Sequence, residues 1–439
     1  MKARLPLIAA LAVALFPLKA SAQAWLSSPD FSEGIGIRAG NLELHPGVGA
    51  EFGYDSNYFR ASEREGVVDV LKLRVTPSIT LTTLGSARRN ANSSPNVIFS
   101  SGAYVSYHEI FPLDSANSEA SKRRNAAIGA NVRLDVFPRG KIGFDLLADY
   151  KRIVETEGRS DDLAGEGFNR DTVRAGGGVT WRPGGGLFEW RAGYTGLYTF
   201  FENDDYKSFA NLQHQINLRG RWRFLPRSAL LSETRYTFVR YTDNQTQQTD
   251  GDLLRSHVGI HSLVTYHLAL MGMVGWAASF YQGRPGSIAP RQFDSLVANA
   301  EARWFIQARP NLEDTTITSG LSSVALGYTR TFNNSYYGSF YQRDRGYLQF
   351  SMFLLGAIAG GLEFGVSRVA YPDVTVGAFN QPSFTQLRID SLIFGEYRLT
   401  DILALNATVQ YDQVNSPSVN NEDLEYKRFQ AYAGVRLFW

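Results

Sequence analysis

The stretch 211-NLQHQINLRGRWRF-224 alternates strictly between polar and apolar residues. Gln213, Gln215, Asn217, Arg219, Arg221 and Arg223 fall on one side of an extended chain. Leu212, Ile216, Leu218, Trp222 and Phe224 fall on the other, because successive side chains of a strand point to opposite faces. The same pattern runs through 68-VDVLKLRVTPSITLT-82, where Lys72, Arg74, Thr76, Ser78 and Thr80 oppose Leu71, Leu73, Val75, Ile79 and Leu81. It recurs in 141-KIGFDLLADYK-151 and in 402-ILALNATVQYD-412. About eighteen such segments are expected. They start near residues 43, 67, 96, 122, 141, 168, 187, 207, 228, 253, 270, 292, 317, 337, 358, 384, 402 and 425. Strands that are apolar on one side only must bury that side in a core or show it to lipid.

Connection lengths separate the two solutions. After even strands the links are tight: Pro138-Arg139-Gly140, Pro183 to Gly186, Pro226-Arg227, Leu268-Ala269, Gly356 and Thr400-Asp401. After odd strands they are longer and polar, as in 59-FRASEREG-66, 156-TEGRSDDLAGEGF-168, 242-TDNQTQQTDGD-252, 282-QGRPGSIAPRQ-292 and 413-QVNSPSVNNED-423. Two links on the short side, 85-GSARRNANSSPN-96 and 308-ARPNLEDTT-316, break the rule. Short turns at one end and long loops at the other describe a membrane-spanning meander. The expected fold is all-β, a transmembrane antiparallel up-and-down β-barrel of about eighteen strands, bounded by sixteen and twenty.

The start of the chain agrees. In 1-MKARLPLIAALAVALFPLKASAQ-23, Lys2 and Arg4 precede an apolar run of 14 residues, Leu5 to Leu18, and then Ala20-Ser21-Ala22. This is the plan of a cleaved signal peptide, and the run is shorter than the roughly 20 residues of a membrane helix. The expected division is a signal peptide over 1–22, a short periplasmic arm over 23–40 and the barrel over 41–439. With no cysteine in the chain, a lipid anchor at that cleavage site, disulfides and thiolate metal sites are excluded. Losing Lys2, Arg4 and Lys19 from 44 basic residues leaves 41 against 42 acidic ones, a balance that offers nucleic acid nothing.

Aromatic residues supply a further constraint. Trp181, Trp190, Trp222, Trp304 and Trp439 lie beside links on the short-turn side. Tyr58, Phe59, Tyr198, Phe200, Tyr241, Tyr281, Tyr336, Tyr337 and Tyr371 lie towards the other end. Two aromatic girdles are expected where rings meet the two lipid headgroup layers. The localisation that follows is the outer membrane of a Gram-negative bacterium, with both termini periplasmic and lipid and lipopolysaccharide as surroundings.

The chain closes on 431-AYAGVRLFW-439. Tyr432, Gly434, Leu437 and Trp439 resemble the carboxyl-terminal signal of bacterial outer-membrane barrels: a polar residue, a glycine two places on, then apolar residues three and five places after the glycine. The resemblance implies handling by the barrel-assembly machinery. A second resemblance lies in 34-GIGIRAGNLELHPGVGAEFGYDSNYF-59, above all in Gly53-Tyr54-Asp55-Ser56-Asn57-Tyr58-Phe59. It is similar to the opening of the β-barrel porins encoded beside polysaccharide-export systems. That likeness implies an integral outer-membrane porin passing a secreted exopolysaccharide received from a periplasmic polysaccharide-export protein. The competing readings are a general or solute-specific diffusion porin and a structural barrel of adhesion or motility machinery.

By alternation, Lys72, Arg74, Arg174, Arg219, Arg221, Arg223, Arg303, Arg343, Arg345, Arg388, Arg428 and Arg436 are expected to line the lumen. Tyr347 and Tyr432 point the same way and offer rings on which sugars stack. Cross-strand ion pairs that hold the interior in shape are the plain reading of these charges. A path favouring anions or glycans is the sharper one, because guanidinium groups bind carboxylates and sulfates strongly. Polysaccharide or small solutes are the expected cargo.

No catalytic residue, cofactor or metal is expected. His257 and His261 share a face, but four residues along a strand span roughly 13 Å, too far for one metal. His108-Glu109 lacks the second histidine of a zinc helix. Asp161-Asp162 and Asp204-Asp205 read as solvated loop charge, and Gly176 to Gly178 and Gly184 to Gly186 as close packing and a tight turn. An enzyme is therefore not expected, and a monomer is.

Overall fold

The structure is a computed structural model. It describes residues 36–64, 66–83, 96–113, 120, 125–154, 169–202, 204–243, 250–281, 293–306, 322–333, 340–354, 357–376, 379–417 and 424–439. The expected signal peptide over 1–22, most of the 23–40 arm, Asp161-Asp162 and Tyr336-Tyr337 lie outside these residues.

Short β1 (Ile37–Ala39) leads into β2 (Leu42–Asp55), β3 (Val70–Thr83), β4 (Val97–Pro112), β5 (Asn125–Val136), β6 (Ile142–Ile153) and β7 (Arg170–Trp181). Then come β8 (Phe188–Phe201), β9 (Asn211–Leu225), β10 (Ser228–Tyr241), β11 (Gly251–Leu263), β12 (Leu268–Tyr281) and β13 (Phe293–Phe305). They continue with β14 (Ser323–Asn333), β15 (Tyr341–Leu354) and β16 (Ile358–Tyr371). A small hairpin, β17 (Val374–Val376) and β18 (Phe379–Gln381), precedes β19 (Phe384–Thr400), β20 (Leu403–Asn415) and β21 (Tyr426–Phe438). Leaving out β1 and the hairpin, each strand pairs antiparallel with its chain neighbour, and β2 pairs with β21 to close the ring. The result is a closed antiparallel β-barrel of 18 strands.

The tight ends are built as the sequence suggests. Pro226 and Arg227 alone join β9 to β10, and Asp401 and Ile402 join β19 to β20. Between β7 and β8, Gly184, Gly185 and Gly186 all take positive φ, at 64°, 65° and 88°, a conformation open to glycine at little cost. That turn, and no phosphate loop, is what the three glycines make. Most strand starts fall within three residues of the expected ones. The larger shifts are at β9, because 204–209 form a 3-10 turn, and at β14 and β15.

One face of the barrel is apolar and exposed: Leu146, Leu218, Leu296, Leu326 and Ile393 all stand outward. Trp181, Trp190, Trp222, Trp304 and Trp439 lie about half exposed at the short-turn end of the same face. The aromatic belt at the long-loop end differs from expectation. Tyr198 and Phe200 belong to it and stack on each other at 5.3 Å. Tyr58 and Phe59 do not, because they fold over the barrel mouth against Val68, Val70, Ile110 and Ala120. Tyr371 is turned inward, where it packs on Tyr341 and Phe384, and Tyr281 packs among the buried residues of β12 to β14. Outward tyrosines take their place, each donating its hydroxyl to a carboxylate: Tyr54 to Asp69, Tyr150 to Asp171, Tyr236 to Asp252 and Tyr328 to Asp344. On the same rim, a hydrogen bond from Arg152 holds the Glu202 carboxyl below the usual carboxylate range.

Candidate functional site: the inner face of the barrel

The face opposite the exposed leucines turns to the barrel axis, and two of its walls differ sharply. Along β19, β20, β21, β2 and β3 the inward side chains are tightly buried and closely paired. Asp55, fully buried at the end of β2, accepts from Lys72 of β3 at 2.8 Å. It also accepts from Arg428 Nε at 2.9 Å and from Gln430 at 2.9 Å, both on β21. Glu51 meets Arg74 at 3.0 Å and accepts from Asn406. Glu396 holds Arg436 at 2.8 Å and Arg398 at 3.4 Å. Buried charges tolerate such a site only when paired and hydrogen-bonded. Here each acid answers a cation from another strand, and Asp55 with Arg428 does so across the seam where the chain's first and last long strands meet.

This wall redefines the expected lumen residues. Lys72, Arg74, Arg428 and Arg436 have side chains at most 3% exposed, so a solute cannot reach them. Tyr432 is no sugar platform. The Arg74 guanidinium lies 3.7 Å above its ring, and Gly53, directly opposite in register, lies against it. Arg388 donates to Gln386 and to Tyr371 at 2.9 Å. In the adjoining strands Arg345 bridges Glu363 at 2.7 Å and Asp390 at 2.6 Å, and Arg343 donates to Ser367. Arg303 pairs with Glu301 at 2.9 Å, and Tyr347 donates its hydroxyl to the same carboxylate. The ion-pair reading describes Arg303, Arg343 and Arg345, whereas Arg388 donates to neutral groups.

The wall made by β5 to β11 is open. Arg174, beside Asp149, has a side chain 45% exposed, and Arg219 has one 40% exposed. Arg219 reaches Glu233 at 3.6 Å, Arg221 reaches Glu189 at 3.1 Å, and Arg223 donates to the Gly186 carbonyl at 3.0 Å. Arg235 shares Glu233 with Arg219. Arg255 has no carboxylate among the described residues; it donates to Asn333 at 3.0 Å and to the Phe332 carbonyl. On β8 to β11, Arg219, Arg221 and Arg235 pair with Glu189 and Glu233, Arg223 and Arg255 meet neutral groups among the described residues, and Arg191 is matched by Asp145 of β6. The field on this wall is positive and accessible to solvent.

Sequence reading missed three groups here. Asp55, with Asn57 behind it, is the hub of the seam; Asn57 gives its amide to the Ala61 and Lys427 carbonyls at 2.7 and 3.1 Å. Arg191 is another, partnered by Asp145 and Asn217, which alternation does place inward, and the Arg235 and Arg255 pair is the third. Alternation marks those within strands as inward, while Asn57 lies just past the end of β2, and strand register decides which meet. Among the described residues no cluster of three or more His, Asp or Glu is arranged to hold a metal.

No protein-family model and no curated protein sequence matches the chain. Solved structures similar in shape include OpdK of Pseudomonas aeruginosa with vanillate, at 12% identity and a TM-score of 0.46, covering 90% of this chain and 99% of that one. Another is OpdL of the same organism, at 10% identity and a TM-score of 0.45, covering 91% of this chain and 99% of that one. A third is its siderophore receptor PirA, at 9% identity and a TM-score of 0.40, covering 90% and 80%. At this distance the barrel assignment rests on the closed strand ladder itself.

Proposed function

We propose that the chain is an outer-membrane porin whose open, cation-rich wall favours anionic and hydroxyl-bearing solutes. The observation that carries this is the imbalance on β8 to β11, where partly exposed arginines outnumber the acids they contact among the described residues. An apolar outer face flanked by aromatic belts suits lipid, and eighteen strands leave room for an aqueous channel. The short-turn end then faces the periplasm, and the barrel-assembly machinery reads the carboxyl-terminal Tyr432, Gly434, Leu437 and Trp439.

A second reading, release of an acidic exopolysaccharide handed on by a periplasmic export protein, is supported by the likeness of residues 34–59 to the export-linked porins. The core of that likeness, Asp55 and Asn57, here ties the seam together. It therefore speaks for barrel closure more than for cargo.

Reversal potentials across a planar bilayer with a salt gradient test the channel reading. The wild-type barrel should pass anions over cations, and Arg219→Gln, Arg221→Gln and Arg223→Gln combined should move the preference towards cations. A reversal potential unchanged by the triple substitution would remove the anion reading. Loss of surface acidic polymer in a deletion strain, with synthesis intact, would favour the second reading over simple diffusion.

A further inference from the structure

Arg235 of β10 and Arg255 of β11 stand directly opposite each other in register on the inner face. Like charges so placed destabilise a strand pair, and two other opposed like-charge pairs of this barrel are compensated. Asp135 and Asp145, also opposite, have Arg133 and Arg191. Arg191 and Arg219, opposite in turn, have Asp145 and Glu233. Of the Arg235 and Arg255 pair, only Arg235 touches a carboxylate, Glu233 at 3.1 Å, and Arg219 competes for it. The Nε atoms of both arginines are shielded from solvent and have no hydrogen-bond partner among the described residues.

The pair opens into a cavity of about 240 Å³, to which Gln213, Gln215, Thr237 and Asn333 contribute polar walls. Gln213 gives its amide N–H to Asn211 at 2.9 Å, and Gln215 gives its own to Thr237 at 3.3 Å. Neither side-chain carbonyl accepts a hydrogen bond from the described residues. Val239 and Leu253 supply the apolar part of the lining. Asn333 reaches this place because the β13–β14 ladder stops at Ala298 and Arg330. The end of β14 then packs inward, with Phe332 5.0 Å from both Phe293 and Phe340.

We infer that this cavity is a binding site for a single carboxylate-bearing, hydroxylated ring, as in a uronic acid. Two guanidinium groups side by side match one carboxylate, with charge-assisted bonds stronger than neutral ones. The amide carbonyls and Thr237 match ring hydroxyls, and Val239 and Leu253 match a C–H face. The volume is below the roughly 300–1,000 Å³ of pockets for drug-sized ligands, so one ring fits and a longer oligomer must extend into the lumen. The inference deepens the porin reading and relies on it only for how the ligand arrives.

Calorimetry on the folded, full-length barrel in detergent tests the site without requiring conduction. Galacturonate should bind and galactose should not. Arg235→Gln and Arg255→Gln should each weaken galacturonate about tenfold or more, the loss expected for a hydrogen bond to a charged group. Arg255→Lys, which keeps the charge and is the safer variant for folding, should fall between. Equal binding of galactose and galacturonate by the wild type would overturn the site, as would unchanged affinity in folded Gln variants. Conductance without galacturonate binding sinks the site and keeps the channel; binding without conductance does the reverse. A tetragalacturonate that binds as well as the monomer assigns the ligand to a polymer, and one that is excluded assigns it to a free acid.

Discussion

Arg428 grips Asp55 with two nitrogens across the seam where the first long strand meets the last, 373 positions apart in the chain. Lys72 shares the same carboxylate at 2.8 Å. Removing the acid would leave two buried cations facing each other, and breaking a buried pair from one side costs about 3–5 kcal/mol. Asp55→Asn should therefore sharply reduce the folded, heat-modifiable band on electrophoresis. Arg428→Gln, which keeps the Lys72 contact, should reduce it less. Equal yields from Asp55→Asn and the wild type would show that the cluster does not hold the seam.

Gly53 offers a second test of the same closure. A methyl group there would sit 2.2 Å from the Tyr432 ring, which carries Arg74 on top. Gly53→Ala should cost about 1–3 kcal/mol through overpacking and loosen the Arg74–Glu51 pair. Gly346→Ala, in open space, should be close to neutral. Urea midpoints of the two variants in the same detergent make the comparison.

The phase of β9 can be read directly, because the chain has no cysteine of its own. Single cysteines at Gln215, Arg219 and Arg221 should react with a membrane-impermeant thiol reagent. Cysteines at Ile216, Leu218 and Trp222, exposed only on the apolar face, should be protected by lipid. Labelling in the opposite phase would turn the barrel inside out.

Which parts of this were legible in the sequence follows from the range of each interaction. Alternation is local, so the strands and the positions of tight turns could be read from segments such as 211–224 and 402–412. Even the two long links on the short-turn side, after β3 and after β13, were visible as polar stretches. The face of Tyr371 was legible too, since Phe364 and Val366 set the outward phase of β16 and Tyr371 is out of step with them; composition near the strand end misled. A slip of one residue exchanges the two faces. The meeting of Arg235 with Arg255, or of Asp55 with Arg428, depends on register and closure, which no single segment encodes. Tyr58 and Phe59 depart from the belt for a related reason: their partners Val70 and Ile110 come from the next strands, and the loop folds over them.

The two terminal aromatic residues divide between stability and assembly. Phe438 is 2% exposed and points inward, with the guanidiniums of Arg436 and Arg398 4.7 and 5.3 Å from its ring. Trp439 is 45% exposed on the apolar outer face. Its backbone is tied to β2 by an N–H bond to the Pro46 carbonyl at 3.0 Å and by a His45 contact at 3.2 Å. Just beyond, β1 takes over as the partner of Leu42 to Leu44, so the seam continues past the chain's end. Emptying the Phe438 site should cost about 3–5 kcal/mol, and Phe438→Ala should lower the urea midpoint of the refolded barrel. Trp439→Ala keeps the backbone bonds and leaves no cavity, so its midpoint should stay near wild type. If Trp439 serves as the assembly signal, that variant should instead accumulate in the periplasm of living cells while refolding normally in detergent. Normal outer-membrane yield from Trp439→Ala would remove the signal role, and a lowered midpoint would move the residue to the structural side.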